Sequence, residues 1–392
     1  MSGRPQIVGL GQTEFSRNSG RTELRLALEA ILAALVDAGL EAGDIDGLVR
    51  YTWDQTGEAA LVAALGLERV TYYSEVEYGG VNCCATLAHA AAAIEAGLAS
   101  CIVIFRSLNA RSGVRFGRGE RHLQVNGDEG IVTGRELPAD EYTAPFGLMA
   151  PSQYHALYAR RYLAHYGISD DRGAAMLGNV AVTQRDFANN NPRALFHDRP
   201  LTMDEYLGAR MVASPLRLYD VCLETDGAMA IVVMSAERAS RLTRRGVEIL
   251  AAAQFVHEHS IPMLLYARSL DSLVPERAGA DLFGRAGVTP KDINVAEIYD
   301  ATSILVPLAL EDFGFVGRGE AVDLLITGEN RLDGRLPINT HGGLLSEGYF
   351  HGLNTIGEAV RQLRGESPNQ VPDARLAFVT VRGASSAILA AT

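Results

Sequence analysis

Between Asn339 and Asn354 the chain reads NTHGGLLSEGYFHGLN. His341, Glu347, Tyr349 and His351 can each move or orient a proton, and they sit among Gly342, Gly343, Gly348 and Gly352. Glycine lets a backbone take positive φ or pass close to a ligand. From Ile356 through Ala359, Val360 and Leu363 the apolar residues recur at helical spacing. The stretch therefore reads as a loop feeding a helix N-terminus, where N–H groups and the helix dipole favour developing negative charge. The plain alternative is a tight structural turn.

Two further stretches carry candidate chemistry. Tyr78–Thr86 (YGGVNCCAT) is a glycine-containing turn that sets Cys84 in the first turn of a helix. That position lowers a thiol pKa and makes a thiolate nucleophile available. A free cysteine is more ordinarily a small buried hydrophobe, and Cys83 has the same two readings. Glu297–Ser303 (EIYDATS) is a strand end turning into a helix, and it presents Tyr299 and Asp300. Asp300 is equally an N-cap for the helix that follows. The two loop histidines are too far apart in sequence for a zinc signature, and no metal is expected.

The elements that must position these groups alternate. Gln6–Leu10 reads as a strand, Leu24–Ala38 as a helix closed by Gly39, and Gly47–Thr52 as a strand. Glu58–Leu65 follows as a helix, Val70–Tyr73 as a strand, Cys84–Ala96 as an Ala-rich helix, and Cys101–Phe105 as an apolar central strand. Such alternation argues for an α/β fold with a mostly parallel sheet. Periodicity fades from Asn109 to Pro151, as in a long excursion on the substrate side. Helices resume at Ser152–Tyr166 and Arg172–Arg185, and Thr225–Ser235 is a turn into a strand.

A pattern then repeats. Ala38-Gly-Leu with Asp44-Ile-Asp returns as Ala286-Gly-Val with Asp292-Ile-Asn, each before a strand. Gly227-Ala-Met-Ala-Ile-Val-Val is matched by Gly383-Ala-Ser-Ser-Ala-Ile-Leu. Two landmarks in the same order suggest a duplicated α/β unit. The halves are 1–255, with the substrate-side excursion at about 107–215, and 256–392.

Composition narrows the class. The 392 residues are 47% hydrophobic and 21% charged, which suits a well-folded globular chain. A formal net charge of -12 argues against a nucleic-acid surface. Cys83, Cys84, Cys101 and Cys222 show no CxxC spacing and fit a reducing compartment. The first residues lack a signal-peptide pattern and no long uncharged apolar run occurs, so a cytoplasmic protein away from membranes is expected.

These residues resemble a known family, the thiolase superfamily, over nearly the whole chain. The resemblance is carried by Val81-Asn-Cys-Cys84-Ala-Thr86, by Glu297-Ile-Tyr299-Asp300-Ala301, and by Gly342-Gly343 with Gly348-Tyr349-Phe350-His351-Gly352. It implies duplicated halves in a five-layered αβαβα arrangement. The opening IVGLGQTEFSR and Thr225–Ala228 look like the sterol-carrier-protein-type thiolases. Tyr78-Gly-Gly and Asn109-Ala-Arg-Ser-Gly-Val-Arg-Phe-Gly look most like the lipid-transfer-protein group, thiolase-like aldolases that remove the steroid side chain.

Departures from the thiolase pattern decide among these relatives. Cys84 occupies the nucleophile position, but the activating histidine position reads Tyr349. The C-terminal C-x-G motif reads Val381-Arg382-Gly383, and the position that helps hold an oxyanion water reads Tyr299. Tyrosine, with an unperturbed pKa of about 10, is a poor activator of a thiol but a reasonable proton donor. The resemblance therefore implies a retro-aldol cleavage of the C17–C20 bond of a 17-hydroxy-steroid acyl-CoA with a three-carbon side chain. Products are a 17-ketosteroid and propionyl-CoA. Tyr299 and Tyr349 are assigned the proton transfers, in either order. His341, His351 and the loop N–H groups are oxyanion candidates. Asp300 and Glu347 are candidates to orient a tyrosine, and Gly342, Gly343 and Gly348 to border substrate. Cys84 becomes a relic that lines the pocket. No cofactor is expected beyond the CoA of the substrate. The expected partners are a second copy of the chain and a separate OB-fold and zinc-ribbon protein in a heterotetramer. The rivals are a thiolase or acyltransferase on another acyl-CoA, and a non-catalytic lipid or acyl-CoA carrier.

Overall fold

Strands β1 (Gln6–Gln12), β2 (Gly47–Tyr51), β3 (Tyr72–Val76), β4 (Cys101–Asn109) and β7 (Asp226–Met234) join β8 (Val247–Gln254), β9 (Val295–Ile298), β10 (Leu376–Val381) and β11 (Ser385–Ala391) in one sheet. Its order is β3-β2-β4-β7-β1-β8-β11-β10-β9, and β5 (Met211–Ala213) with β6 (Leu216–Arg217) forms a separate ribbon. The computed structural model describes residues 3–52, 54–76, 82–113, 115, 144–148, 150–255, 277–381 and 384–392. Tyr78-Gly-Gly, Val81, Arg382, Gly383 and most of the expected excursion between Asn109 and Pro151 lie outside the described residues.

Apart from β3, the order reads alike from both edges: β2-β4-β7-β1 meets β8-β11-β10-β9. The sheet is mixed. β2 pairs parallel with β3 and β4, and β9 with β10; the five remaining neighbour pairs are antiparallel. For β10 and β11 the cause is chain length, since the connection from Val381 to Ser385 is too short for a parallel crossover. β8 ends where the expected first half ends, yet it pairs along its length with β11 and only through Val247 and Glu248 with β1.

Helices lie in layers around the sheet. α1 (Glu23–Ala38) starts where the Thr22 side chain accepts from the Arg25 N–H, and it stops at Gly39 with φ 69°. The two-residue period of the strands then sorts the core. Cys101, Val103 and Phe105 of β4 and Ala228, Ala230, Val232 and Met234 of β7 pack with Leu26, Ile31 and Leu35 of α1. Ile102, Ile104, Met229, Ile231 and Val233 face the opposite side, toward α3 (Cys83–Glu95). Each such Leu or Ile, fully buried, is worth about 1.5–3 kcal/mol.

α2 (Glu58–Leu65) packs beside α1. α3 touches strands of both halves, and its small residues Ala85, Ala90 and Ala93 let the two sheet faces close on it. α4 (Pro151–His165), α5 (Asp170–Asn190) and α6 (Met203–Gly208) form a helical layer over the loops, and α7 (Ala236–Ala239) follows β7. α8 (Ala278–Ala286), α9 (Leu305–Asp312) and α10 (Ala321–Ile326) belong to the C-terminal side. α11 (Gly343–Ser346) interrupts the glycine-rich loop, and α12 (Leu353–Arg364), buried along nearly its whole length, is the second central helix. The layers are thus α1, the β3-to-β1 part of the sheet, α3 with α12, the β8-to-β9 part of the same sheet, and α8. Among the described residues no helix is long and apolar enough to cross a membrane.

Candidate active site

The loop is tied to the sheet by side chains that imitate backbone. Asn339, at φ 56°, accepts from the Ile298 N–H at 2.6 Å and donates to the Ile298 carbonyl at 2.8 Å. This pins the loop to the end of β9, where Tyr299 begins. Thr225 Oγ, next to β7, accepts from the Tyr349 N–H at 3.0 Å and donates to the Tyr349 carbonyl at 3.1 Å. Phe350 stacks on Phe15 with centroids 4.2 Å apart, and a Cβ on Gly227 would fall 2.6 Å from the Phe350 ring. The Tyr299 and Tyr349 hydroxyls, anchored from opposite halves of the sheet, stand 2.7 Å apart. The two side chains are 3% and 9% exposed.

His351 follows at φ 50°, its ring edge-on to Tyr349 with centroids 4.9 Å apart. Its Nδ1 accepts from Arg106 Nε at 2.9 Å. Arg106 Nη1 lies 3.2 Å from Asp54 Oδ2, both side chains buried, and the guanidinium sits 5.5 Å from the Tyr51 ring centroid. Burial lifts the Asp54 carboxyl to about 6, against the pull of Arg106.

Gly352 closes the loop at φ 80°, and a Cβ there would meet Tyr299 Cδ2 at 2.9 Å and Cys83 Sγ at 3.1 Å. The thiol against the loop is therefore that of Cys83, which donates to the Gly352 carbonyl at 3.2 Å. Cys84 Sγ donates to the Val379 carbonyl on β10 at 3.7 Å. Both cysteines begin α3 as expected, and both are buried. Burial pushes the Cys83 thiol well above its usual range, which opposes thiolate formation despite the helix N-terminus.

The remaining candidates brace the loop. His341 Nδ1 lies 2.9 Å from Glu297 Oε2, and Nε2 lies 3.9 Å from Glu347 Oε2. Burial alone would lower the His341 pKa, but Glu347 and Glu297 outweigh it and push it up to about 9. Burial lifts the Glu297 carboxyl to about 7, with His341 offsetting part of the rise. Glu347 accepts from Asn191 at 3.1 Å and from Asn354 at 2.9 Å. Asp300 is a cap, though of α11 rather than of the helix after it: its carboxylate accepts from the Leu344 and Leu345 N–H groups at 2.8 and 3.3 Å. Burial raises this carboxyl to about 6 against those bonds.

The glycines have packing causes. The Gly342 N–H donates to the Asn339 carbonyl at 2.9 Å. A Cβ on Gly343 would lie 2.2 Å from Asp300 Oδ2, and one on Gly348 2.1 Å from the Phe15 ring.

Sequence reasoning missed Asp54, Arg106 and the Thr225 clamp. A signal existed for Arg106, a cation inside the apolar run CIVIFRSLN, because a buried charge needs a partner.

The thiolase C-terminal domain-like family model matches residues 258–390. A 17-hydroxy-3-oxo-4-pregnene-20-carboxyl-CoA lyase of Mycobacterium tuberculosis is 46% identical, over 97% of this chain and 96% of the relative. The chain belongs to the thiolase-like aldolases. A steroid side-chain-cleaving aldolase of Thermomonospora curvata is 42% identical over 97% of this chain and 95% of its own length. The solved structure of an Ltp2-ChsH2(DUF35) aldolase matches this thiolase-like aldolase with a TM-score of 0.90 at 41% identity, covering 100% of this chain and 98% of the other.

Proposed function

We propose that this chain is a retro-aldolase that cleaves the C17–C20 bond of a 17-hydroxy-steroid acyl-CoA with a three-carbon side chain. The products are a 17-ketosteroid and propionyl-CoA. The observation that carries this reading is the 2.7 Å contact between the Tyr299 and Tyr349 hydroxyls. The names of the two relatives support the substrate class.

The reaction loses a proton from the 17-hydroxyl and gains one at C20. The O–H electron pair becomes the second bond of the new C17 ketone, and the C17–C20 pair passes into a thioester enolate. Two hydrogen-bonded phenols close that circuit. The substrate hydroxyl gives its proton to one tyrosine oxygen while that tyrosine passes its own to the other, which protonates C20. Neither tyrosine stays ionised, which matters for a group whose ordinary pKa is about 10. Such proton transfer contributes about 10²–10⁴-fold. Negative charge grows on the thioester oxygen, and His351 is its donor. His341, Asp300 and Glu347 hold the loop in place. The reaction uses no acyl-cysteine and no cofactor beyond the CoA of the substrate. The working assembly is a homodimer joined to a separate OB-fold and zinc-ribbon protein, in line with the two-component solved relative. A preparation from the native host that contains only the homo-oligomer counts against that partner.

Mass spectrometry of products tests the reading. The purified chain, alone and with its co-expressed partner, is given the 17-hydroxy-steroid CoA ester. Propionyl-CoA and the 17-ketosteroid are expected without added free CoA. Product formation only with free CoA and a 3-ketoacyl-CoA would establish thiolysis instead. Tyr299→Phe and Tyr349→Phe should each lower kcat by about 10²–10⁴-fold with the fold intact.

A further inference from the structure

The proton relay makes no use of the buried Arg106–Asp54 pair directly behind it. A buried ion pair is weak evidence for stability, because desolvation offsets the attraction. Arg106 also spends Nε on His351 Nδ1, at 2.9 Å. A guanidinium only donates, so Nδ1 must offer a lone pair, and the ring proton resides on Nε2. The other tautomer would set two N–H groups against each other across that distance.

Asp54 keeps the guanidinium turned. Its Oδ2 lies 3.2 Å from Arg106 Nη1 as an ion pair, and its Oδ1 accepts from the Ser107 hydroxyl at 3.2 Å, which lies 3.3 Å from Thr56 Oγ. The ring is fixed further by its edge-on packing at 89° to Tyr349. A carboxylate at Nδ1 would make the imidazole a base able to activate a thiol. A guanidinium at Nδ1 makes it a neutral donor.

We infer that Arg106, held by Asp54, is a positioning residue that locks His351 as the neutral Nε2–H tautomer, a preorganised donor to the thioester oxygen as enolate charge develops. The identity of that oxygen rests on the aldolase reading; the tautomer does not. A fixed donor of this kind acts where charge appears and needs no reorganisation during the reaction.

The test is long-range proton–nitrogen NMR on full-length protein labelled at histidine, with the His351 signals assigned from their loss in His351→Asn. The wild type should show the Nε2–H pattern near neutral pH. Arg106→Met with Asp54→Asn removes both charges together, so neither ion is stranded, and circular dichroism checks the fold. In that variant the pattern should move to a tautomer mixture or a doubly protonated ring. Its kcat should fall about 10²–10³-fold with KM changed less than about threefold, and adding His351→Asn should cost less than about threefold more. An Nδ1–H or doubly protonated ring in the wild type overturns the proposal, as does a full multiplicative loss on adding His351→Asn. If Tyr299→Phe and Tyr349→Phe stay active while the wild type shows the Nε2–H pattern, the aldolase reading falls and the tautomer assignment stands.

Discussion

His341 and His351 occupy one glycine-rich loop and are equally buried, yet the fold gives them opposite neighbours. Two carboxylates, Glu297 and Glu347, flank His341 and favour its cation. A guanidinium faces His351 Nδ1 and requires a lone pair there. On the proposed reading the first histidine fastens the loop through charge, and the second keeps a proton to donate. Residue type and spacing set what a side chain can do; the charge of the group opposite it selects which of those things it does.

The comparison can be broken at either histidine. The largest effect is expected from His341→Leu, which strands Glu297 and Glu347 without their cation and should cost about 3–5 kcal/mol in urea unfolding. A loss below 1 kcal/mol would deny it the bracing role. His351→Asn should leave stability nearly unchanged, since Asn tolerates the left-handed backbone at that position, and lower kcat by about 10²–10³-fold. Equal stability losses in the two variants would erase the distinction between them.

pH sharpens the comparison. The folded His341 value of about 9 lies above the ordinary 6.5, so the folded state binds its proton more tightly than the unfolded chain does. That stability is fully present below about pH 6.5 and is lost as pH rises through about 9. Glu297, raised to about 7, slopes the same way at lower pH. Unfolding free energy measured in urea should therefore fall from neutral to alkaline pH. The smallest effect is expected for Cys84→Ala, whose thiol contacts the Val379 carbonyl rather than the loop. It should lower stability by about 1 kcal/mol and leave kcat within about threefold. Complete loss of turnover with a normal fold would return this thiol to the mechanism.

Much of this was legible in the sequence because local rules and tertiary packing agree. α1 with its Gly39 stop, α2 at Glu58–Leu65 and the strand starts at Gln6, Gly47 and Cys101 follow from periodicity and caps. Tyr299 and Tyr349 could be paired from motif substitutions. Their 2.7 Å separation could not, because Asn339 and Thr225 create it by clamping backbone across the sheet. The helix that Asp300 caps is not legible locally, because α11 is short and distant along the chain. Arg106 was visible only as an interruption in an apolar run, and its meaning depends on Asp54 and His351, both remote along the chain.

β1 and β8 meet through only two residue pairs, Gln6 with Glu248 and Ile7 with Val247. Tyr299, Tyr349 and the rest of the glycine-rich loop, the proposed reacting groups among them, come from one side of that meeting, and Thr225 and Arg106, which hold that loop, come from the other. The proposed centre of reaction is thus built in one part and held in place by the other. A slight loosening of the two parts would separate the hydroxyls while every strand and helix stayed intact, so activity gauges how the parts are seated more finely than any measure of secondary structure.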